Sequence, residues 1–536
     1  MPRALRRSKA SPHAVETAVS DGRRTGTFWT AFFFFALLST LWSLASPVFS
    51  VPDENAHVIK AVGQLRGELV GHFDPDARHP VFDLPAGWSV SPQIQCFVYH
   101  PEVPASCGVE IGDPDGATSP ASWVARYNPL YYYVIGWPSL FVDGSAGVYI
   151  LRILSALFGS VFLAWAYQTA VAGARARWMP FAVAFAASPM VIYLLGSVNP
   201  NGVEIASAVA LWTALPRLLQ TFHPASPAVT LPRWYLWVIV VVACAVLANA
   251  RALGPLWLVV VVLLCFLASG WSSVRGLFTN RRSYLWLTVI AVTGLFSVLW
   301  TLGGGSLSGQ AEKADAPLVG ASFPTGFVYM LRLTVPFLKQ AVGYFGWFDA
   351  SLPDVAFWPI VAASAILLVL AATASDRRSV LTLAAVSLSA ILVPALVQAY
   401  GVASTGIIWQ GRYGLFLYLG VAIVAGWLLS GPAGDRLAYL APRVTWIGAG
   451  LILLYGAVAF ALVLRRYVTG SEALPSAMWN DPQWQPPLGW PALCLLFGIV
   501  SVGFVLWVGL LGQSVARQEQ SVAREERAAL AGSEKR

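Results

Sequence analysis

Long apolar runs separated by short polar breaks dominate this chain. A helix needs roughly 20 mostly apolar residues to cross a bilayer. Runs of that kind lie at 28–50, 147–172, 178–197, 201–221, 233–250, 252–270, 283–303, 355–374, 379–400, 408–430, 443–464 and 489–512. The pattern predicts an all-α integral membrane protein with about 12 transmembrane helices. Two further apolar stretches, 128–142 and 323–348, are short or broken by Pro, Gly and charge. After the first run, Val58, Ala61, Val62 and Leu65 recur at helical spacing. That spacing predicts a short amphipathic helix lying along the outer surface.

Charge placement decides the ambiguous stretches, because cytoplasmic loops of membrane proteins collect Lys and Arg. If 128–142 and 323–348 both lie along the outer surface, the N-terminal Arg cluster, Arg175/Arg177, Arg217/Arg233, Arg275/Arg281/Arg282, Arg377/Arg378 and Arg436/Arg443 all fall inside. Most of the 34 Lys and Arg are then cytoplasmic and most of the 26 Asp and Glu are outside. The expected organisation is a multi-pass plasma-membrane protein with both termini cytoplasmic. Residues 1–27 form a basic tail, 28–512 the polytopic domain and 513–536 a charged tail. Outer loops are expected at about 51–146, 304–354 and 465–488, the first being the largest and bearing surface-lying helices.

Composition agrees with this picture and narrows the function. Hydrophobic residues make up 57% and charged residues 11%, against about 25% charged in soluble domains. The net charge of +8 therefore belongs to membrane topology and calls for no nucleic acid. The run 28–50 is too long for a signal-peptide core and is expected to stay as the first helix. Cys244, Cys265 and Cys494 lie in apolar runs, whereas Cys96 and Cys107 share one polar loop. A disulfide between those two is open if that loop faces an oxidising compartment. The sequence has no Gly-Lys-Ser/Thr phosphate loop, dinucleotide fingerprint, Gly-x-Ser-x-Gly elbow or paired CxxC. These absences argue against a nucleotide-driven pump or a redox enzyme. Few acidic residues lie mid-span, which argues against an ion-coupled transporter.

The candidate chemistry lies at the outer boundary. Val51-Pro52-Asp53-Glu54-Asn55-Ala56-His57 follows the first run directly. Pro52 favours a new helix start, with Asp53 at its N-cap, Glu54 in its first turn and His57 one turn on. A partly desolvated carboxylate there suits a general base; simple helix capping is the alternative. His57 could orient a carboxylate, but His72, His79 and His100 are too scattered to make a zinc site. Asn199-Pro200-Asn201-Gly202-Val203-Glu204 opens the fourth span, where Glu204 suggests function and capping of that helix by Asn199 or Asn201 is the alternative. Arg251, Arg332, Lys339 and Arg412 lie at the outer boundary against the charge rule. A phosphate group would explain such cations, since Arg grips it through paired hydrogen bonds; outer carboxylates or lipid headgroups are the alternatives. Gln410 and Tyr413 flank Arg412, and Trp347 and Asp349 sit in an aromatic stretch suited to a sugar ring or to the membrane interface.

Together these pieces resemble a family of bacterial, often actinobacterial, polytopic membrane proteins related to the GT-C superfamily of polyprenyl-phosphate-sugar glycosyltransferases. The resemblance rests on Pro52-Asp53-Glu54-x-x-His57, Asn199-Pro200-Asn201-Gly202-x-Glu204, Gly346-Trp347-Phe348-Asp349 and Gly411-Arg412-Tyr413. The stretch from Asn128-Pro129-Leu130-Tyr131 to Ser155-Ala156-Leu157-Phe158-Gly159 is similar to the outer helix and second span of such enzymes. The resemblance implies a GT-C-like fold. It implies Asp53 or Glu54 as the base, and Arg412, with Arg332 or Lys339, as the clamp on the donor phosphate. The expected reaction moves a sugar from a polyprenyl-phosphate carrier to an envelope glycan or lipid-linked acceptor on the outer face. No cofactor is called for, and a divalent cation is left open. A lipid-linked glycan flippase and a non-catalytic envelope-assembly protein are the alternatives.

Overall fold

The computed structural model describes residues 12–223, 229–307, 316–374 and 376–533. The first helix, α1 (Pro12–Ala45), carries the first apolar run and stops at Ser46-Pro47, where proline removes an amide donor. The long segment that follows contains α2 (Glu54–Gln64) and α3 (Leu130–Gly136), and α4 (Gly144–Ala170) returns through the bundle. Next come α5 (Met179–Ala184), α6 (Pro189–Leu195), α7 (Pro200–Gln220), α8 (Arg233–Ala250) and α9 (Gly254–Ser269). After Gly270, α10 (Trp271–Thr279) bends away from α9 by 113°, and α11 (Tyr284–Gly303) crosses again. A second segment between spans holds α12 (Phe323–Arg332), α13 (Thr334–Gly343) and an antiparallel hairpin of β1 (Tyr344–Phe345) and β2 (Ala350–Ser351). The chain ends with α14 (Asp354–Thr373), α15 (Arg377–Thr405), α16 (Leu415–Leu429), α17 (Ala441–Thr469), the short α18 (Ala477–Asn480) and α19 (Trp490–Ser533).

Among the described residues ten helices are long and apolar enough to cross a membrane, or eleven if the bent pair α9–α10 is one span. The expected count was about twelve, and the difference lies mainly at 178–197. That run is not one helix. Ser188 precedes Pro189 and adopts an extended backbone (φ −57°, ψ 144°), as residues before proline do, so the run splits into α5, a 3-10 turn and α6. It still traverses the bundle. At one end the Arg177 amide donates to Glu519 of α19 at 2.8 Å; at the other the Val198 amide donates to Glu54 at 3.0 Å. A broken backbone survives at membrane depth only where protein surrounds it, and this segment is almost wholly buried.

The bundle is built around α7, whose apolar stretch is entirely buried against α4, α8, α9 and α16. At the periphery, α11 presents Leu285, Leu295, Leu299 and Leu302 outward, the surface that hydrocarbon tails would solvate. Neither ambiguous stretch crosses. In 128–142, α3 has only seven residues and turns Leu130, Tyr133 and Val134 outward. In 323–348 there are two ten-residue helices and the hairpin. At the ends of the described chain, α1 begins at Pro12 and α19 runs to Ser533. Residues 1–11 and 534–536 lie outside the described residues.

The short helix expected after the first run is present as α2, in which every residue but Asn55 is buried, covered by the rest of this segment and by α3. That segment is held by isolated β-bridges such as Val81 with Ala121, by short 3-10 turns and by a Cys96–Cys107 disulfide with Cα atoms 6.1 Å apart. Two buried arginines fasten it to the bundle. Arg152 of α4 holds Glu54 through Nε at 2.7 Å and Nη2 at 2.5 Å, and donates to the carbonyls of Ser43, Ser46 and Pro47. Arg466 of α17 donates to the carbonyls of Phe97, His100 and Val103 and to Asp349 at 2.8 Å. Removing one partner of a buried pair leaves an uncompensated charge, which costs about 3–5 kcal/mol. Arg152→Met is therefore expected to lower the unfolding free energy by roughly that amount in detergent denaturation. An unchanged denaturation midpoint would show that the pair does not anchor the segment.

Candidate functional site

Asp53 and Glu54 are neighbours in sequence, but the backbone sends them to different places. Asp53 sits at the N-terminus of α2 in the left-handed region, φ +66° and ψ −2°, a conformation that is uncommon outside glycine and worth a functional question. Its side chain makes no capping hydrogen bond, so the capping role is not the one it plays. Instead Oδ2 accepts from Arg412 Nη2 at 2.7 Å and Oδ1 accepts from Trp123 Nε1 at 3.2 Å. Glu54 is wholly buried. Besides Arg152 it accepts from the amides of Phe49 at 3.1 Å and Val198 at 3.0 Å. Its oxygens are saturated and do not reach the cavity described next. Of the two expected bases, only Asp53 is placed to meet a substrate.

Asp53 borders a cavity of about 580 Å³, within the range that ordinarily holds a ligand. One part of its wall is polar: Asp53, His57, Glu204, Arg251 and Arg412. Another part is apolar: Leu253, Trp257, Leu307, Val397 and Ile408. Tyr400, also on the wall, is 89% exposed, so the cavity opens to the surroundings beside α15. Arg251 approaches Glu204 at 3.6 Å. Arg251 and Arg412 stand over the same ring, Tyr413, at 4.3 Å and 5.2 Å from its centre, a cation–π arrangement that holds two guanidinium groups close together. With Arg78, three arginines face two carboxylates on this wall, an excess suited to an anion.

Three wall residues carry buried polar atoms with no hydrogen-bond partner among the described residues: Glu204 Oε1, Gln410 Oε1 and Arg412 Nε. Each such atom costs about 1–3 kcal/mol when left unpaired. Two acceptors and one cationic donor together match a ligand that carries hydroxyl groups and a negative charge.

The other expected residues divide between this wall and elsewhere. Asn199 lines the cavity, caps α7 by accepting from the Asn201 amide at 2.9 Å, and donates to the Pro52 carbonyl at 3.1 Å. Trp347 lines it too and donates to the Phe49 carbonyl at 3.2 Å. Asn201 sits behind the wall, where its Nδ2 donates to Glu204 Oε2 at 3.0 Å. Three expected binding residues lie away from the cavity. Arg332 is exposed on α12, Lys339 pairs with Asp354 at 2.6 Å, and Asp349 is the buried partner of Arg466. Arg412 and Arg251 line the cavity together, whereas Arg332 and Lys339, expected beside Arg412, do not. One largely exposed group, Glu68, His72 and Asp83, brings three potential ligand atoms within 4.8 Å of one another; none of the three residues lines the cavity.

Sequence reasoning missed Arg78, Trp123, Trp257 and Gln398 on the wall, and Arg152 behind it. Arg152 carried a usable signal, a lone arginine inside an apolar run. Trp123 and Arg78 stand in an irregular loop, where no periodicity announces them.

Residues 33–421 match the family model described as Predicted membrane protein (DUF2142). That stretch contains every cavity residue named above. No curated protein and no solved structure matches the chain.

His57 packs behind Asp53 with Nδ1 2.8 Å from the Tyr132 hydroxyl. Burial, aided by the positive charges of Arg251, Arg412 and Lys60 against the opposing pull of Asp53, pushes its pKa from 6.5 down to about 3. The ring is neutral in the folded protein at every physiological pH. Below pH 6.5 the unfolded chain takes up a proton here that the folded chain refuses. Stability supplied by neutral His57 is thus complete above about 6.5 and lost as pH falls toward 3. Melting temperatures should fall less steeply over that window in His57→Gln than in the wild type. Parallel curves would show that His57 is not the group that titrates.

Proposed function

We propose that this chain, which belongs to the DUF2142 family of predicted membrane proteins, is a membrane glycosyltransferase that takes a sugar from a polyprenyl-phosphate carrier. The acceptor is an envelope glycan or a lipid-linked saccharide. The observation that carries this reading is one cavity with an exposed-edge carboxylate, Asp53, 2.7 Å from a buried arginine, Arg412, and an apolar wall that opens beside lipid-facing helices. A sugar phosphate on a long hydrocarbon has the hydroxyls, the charge and the tail that such a wall would accept. The excess of Lys and Arg in the opposite loops supports an outer location for this cavity. A GT-C-like arrangement, with the reactive acid just after the first helix, agrees with Asp53 eight residues beyond the end of α1.

In this mechanism Asp53 takes the proton from an acceptor hydroxyl as its oxygen attacks the anomeric carbon. The bond from that carbon to the phosphate oxygen breaks, and the electron pair leaves with the lipid phosphate. The phosphodiester monoanion becomes a phosphomonoester with one more negative charge. Arg412 and Arg251 stand where that charge develops, and in a partly desolvated site their attraction for it is strong. Glu204 and Gln410 accept hydrogen bonds from sugar hydroxyls, and the aromatic rings of Trp123 and Trp347 flank the ring faces.

The protein reconstituted in vesicles with a polyprenyl-phosphate sugar and an extracted envelope acceptor is expected to form a glycosidic bond. Asp53→Asn should lower that rate by about 10²–10⁴-fold, the usual contribution of a positioned base, with the melting temperature kept. Full transfer by Asp53→Asn sinks the assignment. Carrier that crosses the bilayer without bond cleavage would point to a flippase instead.

A further inference from the structure

We propose that the Asp53–Arg412 ion pair is a self-occupied anion site, from which a phosphate oxyanion must displace the Asp53 carboxylate before Asp53 can act. Donor binding then precedes and releases the base. The displacement rests on geometry; its catalytic consequence rests on the glycosyltransferase reading above.

The comparison between the two adjacent acids carries the inference. Glu54 is gripped by both Nε and Nη2 of Arg152 and by two backbone amides, and its side chain is fully buried. Nothing in that arrangement is left to exchange. Asp53 meets Arg412 through one oxygen and one nitrogen only, and its side chain is 27% exposed at the cavity edge. Arg412 is the less accessible partner, at 7%, and its Nε has no hydrogen-bond partner among the described residues. Half of the guanidinium fork is therefore unused, and a fork satisfied by a single carboxylate oxygen is weaker than one gripping an anion through two parallel bonds. A phosphate group has the oxygens to do so; the Asp53 carboxylate, held on the left-handed backbone at φ +66°, makes a single bond.

The exchange also solves a chemical problem. While Asp53 Oδ2 is hydrogen-bonded to Arg412, that oxygen is occupied and is not free to approach an acceptor hydroxyl. Once phosphate takes the arginine, the carboxylate keeps only the Trp123 Nε1 hydrogen bond, on its other oxygen. The base becomes available when a donor is present and not before.

The test is binding, read by quenching of the cavity tryptophans in the detergent-solubilised full chain, with farnesyl phosphate, farnesol and inorganic phosphate as separate titrants. Asp53→Asn keeps the shape and removes the competing charge. It is expected to bind farnesyl phosphate more tightly than the wild type by on the order of tenfold, the factor by which a pair closed about 90% of the time reduces apparent affinity. Arg412→Lys, which cannot form the bidentate grip, should bind it more weakly than wild type. Tightening seen with inorganic phosphate as well assigns the effect to the anion itself. Equal or weaker binding of farnesyl phosphate by Asp53→Asn overturns the proposal, as does tightening with farnesol alone. These outcomes do not depend on turnover. A wild-type protein that binds in this way yet never forms a glycosidic bond would end the enzymatic reading and leave the ion-pair exchange standing.

Discussion

The bidentate pair of Arg152 with Glu54 is the contact on which the site depends. It joins four pieces of chain at one point: the carbonyls that end α1, the turn before α2, the middle of the bundle through α4, and the turn at Val198 between α6 and α7. A charged pair removed from water pays a heavy desolvation penalty that only full hydrogen bonding offsets. Here both carboxylate oxygens and all three guanidinium nitrogens are satisfied. The pair is worth little as net attraction and a great deal as geometry. It admits one arrangement of these four segments, because any other leaves a charge unpaired.

Fixing Glu54 decides what Asp53 can do. The residue before a locked helix start has little freedom, and here it takes the left-handed conformation. Strain of that kind persists only where the surroundings over-determine it, and the lock one residue away does so. A second anchor, Arg466 with Asp349, holds the loop carbonyls of Phe97, His100 and Val103 against the hairpin and α17. Trp347, one turn of that hairpin away, reaches back to the Phe49 carbonyl beside Glu54. The two long loop segments are thus tied at two buried arginines, and the cavity lies beside the ties.

Most of the spans were legible in the sequence because membrane helices obey one strong rule, an apolar run of sufficient length. The rule failed where proline cut a run that was long and apolar enough: 178–197 reads as a span, but Ser188-Pro189 interrupts it. The cavity was half legible. Arg412, Arg251 and Glu204 stood out as charges at an apolar boundary, and the structure brings all three to one wall. Arg332 and Lys339 gave the same signal and went elsewhere, since boundary charge marks depth and says nothing about direction around a helix. The separation of Asp53 from Glu54 was not legible at all. It depends on Arg152, about a hundred positions later, and on one backbone dihedral. The burial of α2 escaped for a related reason: the irregular loop that covers it has no periodic pattern to betray where it folds back.

The same physics explains why the wall can keep its arginines. An isolated, largely buried guanidinium would be costly, so Arg251 and Arg412 each need a counter-charge while the cavity is empty, whereas the exposed Arg78 is solvated. Glu204 serves Arg251 and Asp53 serves Arg412. If either counter-charge were as completely satisfied as Glu54, no ligand could compete for the arginine. If either were absent, the cation would demand some other anion or distort the fold. An incomplete pair, one bond wide at the cavity edge, meets both requirements. The contrast between a saturated lock and an unsaturated pair on consecutive residues is therefore a division of labour: one carboxylate holds the chain in place so that the next can be held loosely.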